Sequence, residues 1–267
     1  MYVRVLRSRR PAWHFNLAVI TALVVSAVAA RSGWPQSAAK LPTAQEVLDR
    51  NVKATGGAAA LLRYKSMTVH GRLTIPAKNL TLETVDYTKG GDKVLQRVIL
   101  PDGTENRSGF DGATAWDLDK SGKASIAAGD IIKTTARDAD MYYHLHVMTY
   151  FRSMQVVGVE VFNGRPCYHL KGVNNWGKTN EQFYDKETGL LLGYRFNTTW
   201  RGGNGDASQT FEDYKDFGGV LMPAKMTSRD GNDVYIATVT SVTYDDVADS
   251  IFALPDAVQK EKAKPGT

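Results

Sequence analysis

The chain has 267 residues, 43% of them hydrophobic, which is enough to bury one large core, and its 24 Gly and 9 Pro exclude collagen-like and low-complexity classes. The formal charge is +5, from 33 Lys and Arg against 28 Asp and Glu, but Arg4, Arg7, Arg9 and Arg10 all stand in residues 1–30, which hold no acid. The other 29 basic and 28 acidic side chains nearly cancel, so charge gives no support to nucleic-acid binding, and a lone Cys167 excludes an internal disulfide or a Cys-rich zinc site.

Residues 1–30 read as a cleaved signal peptide. The four arginines precede an uncharged apolar stretch, Leu17 to Val28, and Ala27-Val28-Ala29 offers the small-x-small pattern a signal peptidase accepts. The stretch is short for a membrane span, which needs ~20 residues. Ser8-Arg9-Arg10 fits a twin-arginine start while Pro11-Ala12-Trp13 is a poor continuation, so the sequence does not choose the export route. No Cys follows the leader to carry a lipoprotein anchor. The expectation is a periplasmic or otherwise exported protein.

Residues 31–40 read as a spacer. Thr43-Ala44-Gln45-Glu46 then forms a capping box, Val47, Leu48 and Val52 share one helical face, and Gly56-Gly57 ends that helix. Residues 58–64 can add a short helical piece. From Met67 the period changes to alternation: Met67, Val69, Gly71, Leu73 and Ile75 fall on one face and Thr68, His70, Arg72 and Thr74 on the other. Similar runs follow at 80–87, 93–100, 112–118, 154–162, 167–173, 182–185, 190–197, 208–214, 220–228 and 234–244, separated by turn signals such as Asp102-Gly103, Asn163-Gly164 and Asp230-Gly231-Asn232. Connections this short join antiparallel neighbours. One stretch breaks the series: 134–151 reads as a helix or pair of helices lying on the sheet. The predicted fold is mainly β (α+β), a half-open antiparallel barrel of about eleven strands with a leading helix and a helical insertion over a cavity. It forms one domain at 41–258, with a flexible tail at 259–267.

A long antiparallel meander disposes of its edges by curling toward closure, and about eight or more strands enclose side chains or a ligand. Two helical segments leave room for an apolar cavity. Its predicted lining is Leu73, Ile75, Trp116, Met148, Phe151, Leu170, Leu192, Tyr194, Met222 and Met226, with Met and aromatic side chains suited to irregular acyl chains. Periodicity alone also allows each of these to be an ordinary core residue.

Several segments resemble the LolA-like family, the outer-membrane lipoprotein-sorting proteins and their relatives. Leu41 to Asp49 with Ala54-Thr55-Gly56-Gly57 resembles the leading helix of that group, and Gly109-Phe110-Asp111-Gly112 with Trp116 resembles its turn and strand. Phe183-Tyr184-Asp185 to Gly189-Leu190-Leu191 resembles a hairpin of the family. Asp213-Tyr214 with Gly219 to Pro223 resembles a strand pair, and Ser250 to Pro255 the closing segment. The resemblance implies a half-open barrel covered by helices and an apolar cavity that takes acyl chains; in the best-known members that cavity ferries lipidated proteins across the periplasm. It carries no catalytic residues. The long leading segment and the Gly-rich loop from Arg201 to Asp206 depart from the sorting chaperone itself, so the fold and cavity carry over more firmly than the cargo.

Other chemistry finds little footing. His144 and His146 are the one close His pair, with Asp138 or Asp140 as a third metal ligand, but positions two apart on a helix point about 200° apart. Asp117 to Gly122 begins like a calcium loop, yet Ala128 stands where a bidentate Glu is required. No Gly-x-Ser-x-Gly elbow or phosphate-binding Gly loop occurs. Cys167 reads as a small buried hydrophobe. Arg72, Arg97 and Lys171 read as a solvated exterior, with a cation at the cavity mouth as the sharper alternative. The expectation is a noncatalytic carrier of lipid or lipoprotein acyl chains, with no cofactor, no metal and no nucleic acid. The alternatives are an envelope scaffold using the groove for a protein partner and, behind it, an enzyme built on the His pair or on Asp117 and Asp119.

Overall fold

The computed structural model describes residues 40–199 and 202–264. The predicted leader, the spacer as far as residue 39, and Arg201 at the head of the Gly-rich loop lie outside the described residues.

The chain enters through α1 (Ala44–Ala54), where the Thr43 N–H donates to Glu46 Oε2 (2.7 Å) and the Glu46 N–H donates to Thr43 Oγ1 (3.2 Å). A one-turn helix, α2 (Ala58–Leu61), follows. The strands are then β1 (Ser66–Ile75), β2 (Leu80–Lys89), β3 (Lys93–Ile99), β4 (Glu105–Phe110), β5 (Ala115–Leu118) and β6 (Ala124–Ile126). The insertion carries α3 (Asp130–Ala139), α4 (Tyr143–His146) and a 3-10 turn at Val147–Tyr150. Seven further strands complete the sheet: β7 (Phe151–Phe162), β8 (Arg165–Asn174), β9 (Thr179–Asp185), β10 (Leu191–Asn197), β11 (Asp206–Phe217), β12 (Val220–Asp230) and β13 (Asp233–Tyr244). Helix α5 (Asp256–Lys262) lies near the end.

All thirteen strands belong to one antiparallel sheet in the order β6-β5-β4-β3-β2-β1-β13-β12-β11-β10-β9-β8-β7. Two meanders meet where β1 pairs with β13. The expectation of about eleven strands in a half-open barrel is corrected: the described residues form thirteen, and the sheet is open, because β6 and β7 are its two edges and do not pair. Two strands account for the difference in number. Glu-Asn-Arg-Ser-Gly-Phe in β4 has no apolar alternation and becomes a strand by pairing with β3 and β5. Strand β6 has only three residues. Closure fails for the same reason, since a three-residue edge offers β7 almost no ladder. The tail expected from residue 259 starts inside α5, whose Val258 is fully buried against Trp116 and Leu118.

Although open, the sheet is strongly curled. Helix α3 packs Ile132, Ala136 and Ala139 on Val94, Phe110 and Ala115 of β3–β5. It also reaches the turn after β8, with Lys178 Nζ 3.5 Å from Asp130 Oδ2 and the Arg137 guanidinium 5.8 Å from the Trp176 ring centre. From β3 to β9 is seven strand spacings, roughly 33 Å along a flat sheet. A ten-residue helix spans roughly 15 Å. One helix can touch both places only if the sheet bends around it. The face bearing α1, α3 and α4 is therefore the inner face. Among the described residues no helix is long and apolar enough to cross a membrane.

The first helix is fixed to that face by close backbone approach. The Asn51 amide donates to the Gly189 carbonyl (3.0 Å) and the Leu221 N–H to the Thr55 carbonyl (3.1 Å). At Gly56, φ is +114° and a Cβ would fall 2.3 Å from the Gly219 carbonyl oxygen. Gly56→Ala combines strained φ with overlap of two backbones. It should lower the unfolding free energy by about 2–4 kcal/mol, read as a shift in urea midpoint with little change in slope.

Candidate functional site: the inner face of the curled sheet

Strand register arranges the inner face in rows. Leu82, Leu73, Ala237, Met226 and Phe211 stand opposite one another across β2, β1, β13, β12 and β11 and form an apolar row. On one side of it runs Leu170, Gln182, Tyr194, Gln209, Ser228 and Tyr235, mostly polar. On the other side, beyond Gly71 and Thr84, runs Val69, Asp86, Gln96, Ser108 and Asp117. The trough is thus an aliphatic and aromatic stripe bordered by hydrogen-bonding groups.

The polar row is tied to the insertion. The Tyr184 hydroxyl donates to Gln182 Oε1 (2.7 Å), and Gln182 Nε2 donates to the Tyr143 hydroxyl (3.4 Å). Asp140, at the C-terminal end of α3, organises the turn that puts Tyr143 there. It accepts from the Tyr142 N–H (2.9 Å) and the Tyr150 hydroxyl (2.8 Å), and faces His146 Nδ1 at 2.8 Å. Burial, followed by the bond to Asp140, raises the Tyr150 hydroxyl above its ordinary range, so it stays a donor. Burial pushes His144 down to about 4, which keeps that imidazole neutral. Buried acceptor oxygens without a hydrogen-bond partner remain on the inner face at Gln209 Oε1 and Asn180 Oδ1.

The predicted lining residues divide among several environments. Phe151, Leu170, Tyr194 and Met226 come together beneath α1 with Val47, Leu48 and Tyr184. Leu73 is buried in the apolar row, Ile75 lies partly buried at the end of β1, Met222 is partly buried on β12, and Met148 is 39% exposed on the 3-10 turn. Trp116 and Leu192 face outward: Trp116 packs with Leu95 and Val258, and Leu192 with Phe162, Cys167 and Phe183. Arg72, Arg97 and Lys171 also occupy outward positions, with Arg97 paired to Glu105 (2.7 Å) and Lys171 near Glu181 (3.6 Å). Alternation does not single out Asp86, Gln182, Gln209 or Tyr143, and Asp140, expected only as a possible metal ligand beside the His pair, instead organises the turn before β7. Asp86 does continue the inward positions Leu82 and Thr84.

His146 engages Asp140, and among the described residues no three side chains are grouped to hold a metal. Asp119 Oδ1 accepts from Ser121 N–H, Ser121 Oγ and Lys123 N–H (2.9, 2.6 and 3.0 Å), the work of a turn. Burial pushes the Cys167 thiol up to about 11, unfavourable for a nucleophile. A cleft of about 670 Å3 at the ends of β9, β10 and β11 mixes Lys178, Glu181, Arg195, Asn197, Asp206 and Ser208 with Phe196 and Ala207.

No protein-family model and no curated protein matches the sequence. Solved structures do. A LolA superfamily protein from Nitrosomonas europaea is 14% identical with a TM-score of 0.56, over 80% of this chain and 99% of that one. A DUF1329 family protein from Desulfovibrio piger is 15% identical with a TM-score of 0.55, over 78% and 96%. A domain described as an outer membrane lipoprotein-sorting protein, from Vibrio parahaemolyticus, is 14% identical with a TM-score of 0.54, over 78% and 94%. The chain has a LolA-like fold.

Asp86 gives the trough a pH signature. Neither carboxylate oxygen has a hydrogen-bond partner of good geometry among the described residues, and burial raises its pKa from 3.8 to about 6, offset only in part by Gln96 across the strand pair. Between those two values the folded state holds more protons than the unfolded state, so stability falls as pH rises through the window and is level above it. Asp86→Asn should flatten that fall and stabilise the protein at pH 7.5 by on the order of 1–3 kcal/mol. Thermal melts at pH 4, 5, 6 and 7.5 check this, and parallel curves for the two proteins would refute it.

Proposed function

We propose that the protein is an exported, noncatalytic carrier that takes lipid, or the acyl chains of a lipoprotein, along the inner face of the curled sheet. The observation that carries this reading is the apolar row from Leu82 to Phe211, bordered by polar rows and spanned, among the described residues, by three short helices. Hydrocarbon gains about 25 cal/mol for each Å2 taken from water. A stripe of Leu, Ala, Met and Phe supplies that gain along the length of a chain, while the flanking Gln, Ser and Tyr groups meet polar atoms near its ends.

Two further features support the reading. The fold is shared with a domain described as a lipoprotein-sorting protein. The sequence opens with a basic, then apolar, then small-residue leader that suits export to the periplasm.

Native mass spectrometry of protein purified from its host should find lipid adducts, and a fluorescent fatty acid should bind with one-to-one stoichiometry. Ile75 and Met148 tolerate substitution because neither is fully buried. Ile75→Glu with Met148→Glu should weaken that binding roughly tenfold or more, since each buried CH2 is worth about 0.8 kcal/mol and a carboxylate repels the tail. An unchanged affinity in the folded double variant, or no adduct and no binding in the parent, would overturn the carrier reading.

A further inference from the structure

We infer that one rim of the inner face, formed by Arg50, Lys186, Tyr168, Val159 and Val161, binds the anionic head group of a single amphiphile and the first carbons of its tail. The inference deepens the carrier reading by assigning the charge of the cargo and the place where its head rests.

The two cations are the first observation. The Arg50 guanidinium and the Lys186 ammonium each lie 5.7 Å from the centre of the same Tyr168 ring. They come from separate elements, α1 and the β9–β10 turn, which are joined where Arg50 Nη2 donates to the Lys186 carbonyl (2.8 Å). Neither forms an ion pair among the described residues. The acids adjoining Lys186 are already engaged: Arg165 pairs with both Asp185 and Glu187. Asp49, beside Arg50 in the chain, accepts from Gln45 Nε2 (2.8 Å). Two like charges gathered at one ring with no carboxylate between them repel each other, and an anion placed there relieves the repulsion.

Exposed hydrocarbon beside those cations is the second observation. Val159 stands directly opposite Tyr168 and Val161 opposite Pro166, so both valines share the inward side of the edge strand with the ring. They are 46% and 67% exposed, two of the six large hydrophobic residues most open to water among the described residues. A register shift between Val156 and Gly158 turns the strand just before them: Met154 and Val156 pack into the core, whereas Val159 and Val161 do not. An edge strand is commonly guarded by charge, and here the inward side carries valine instead. Aliphatic surface continuous with two unpaired cations matches an anionic amphiphile, and the same rim leads by way of Tyr168 and Tyr184 to the core beneath α1.

The test is isothermal titration of the whole protein with three probes, all below any micelle concentration: dodecyl phosphate, dodecyl maltoside with the same tail and no charge, and inorganic phosphate. The expected result is that dodecyl phosphate binds about tenfold or more tighter than dodecyl maltoside, the scale of one or two charge-assisted hydrogen bonds. Lys186→Glu and Arg50→Gln, both at exposed positions, should each remove most of that preference while leaving the maltoside affinity unchanged. Val159→Ser with Val161→Ser should weaken both detergents. Equal binding of the two detergents, a preference that survives both charge variants, or inorganic phosphate binding as tightly as dodecyl phosphate would each overturn the assignment. Dodecyl maltoside binding in the trough with no charge preference would leave the carrier reading standing and remove this one.

Discussion

The span of α3 is the constraint from which the rest follows. A helix of ten residues touches both β3–β5 and the turn after β8, and this forces an open sheet of thirteen strands to bend. Bending converts one face into a trough and the other into an exterior. The two sides of the helix are held differently. Ile132, Ala136 and Ala139 are packed on Phe110 and Ala115. At the turn the helix is held by an ion pair and a cation–aromatic contact, Lys178 with Asp130 and Arg137 with Trp176. An ion pair and a cation–aromatic contact of that kind contribute about 0–2 kcal/mol each, less than the apolar packing of three side chains.

Polarity on the inner face is distributed by register. Because paired residues in an antiparallel ladder share a face, a single polar side chain at one strand position becomes a polar row when its neighbours are polar too. Gln182, Gln209 and Ser228 form such a row, and Asp86, Gln96 and Ser108 another, with Leu73, Ala237, Met226 and Phe211 between them. Buried acceptor oxygens without hydrogen-bond partners at Gln209 and Asn180 cost stability. The apolar row with polar borders has the layout of an amphiphile rather than that of a plain hydrocarbon core.

Much of this architecture was legible in the residues because alternation and turns are local. The capping box at Thr43 and Glu46, the strand from Met67 to Ile75 and the helical break before β7 all follow from period and punctuation. Strand β4 did not, because its polar sequence is made a strand by two neighbours that only the tertiary fold supplies. The inner lining was half legible for a related reason. Alternation divides a strand into two faces and does not say which face is covered: Trp116 and Leu192 are as apolar as Leu170 and Met226, yet they pack on the outer side. Leu192 lies at a register shift in β10, where parity along the strand is lost. The polar rows are set by cross-strand register, which the order of residues along one strand does not contain.

The central claim is that hydrocarbon lies on the inner face of the curled sheet, and photo-crosslinking tests it most directly. A fatty acid bearing a diazirine along its chain would be bound to the purified protein, irradiated, and its adducts mapped by peptide mass spectrometry. Adducts should fall on Ile75, Tyr194 and Met226 and on the helices that cover them. Adducts concentrated on Trp116, Leu192 and the outer face, or spread evenly over both faces, would contradict it.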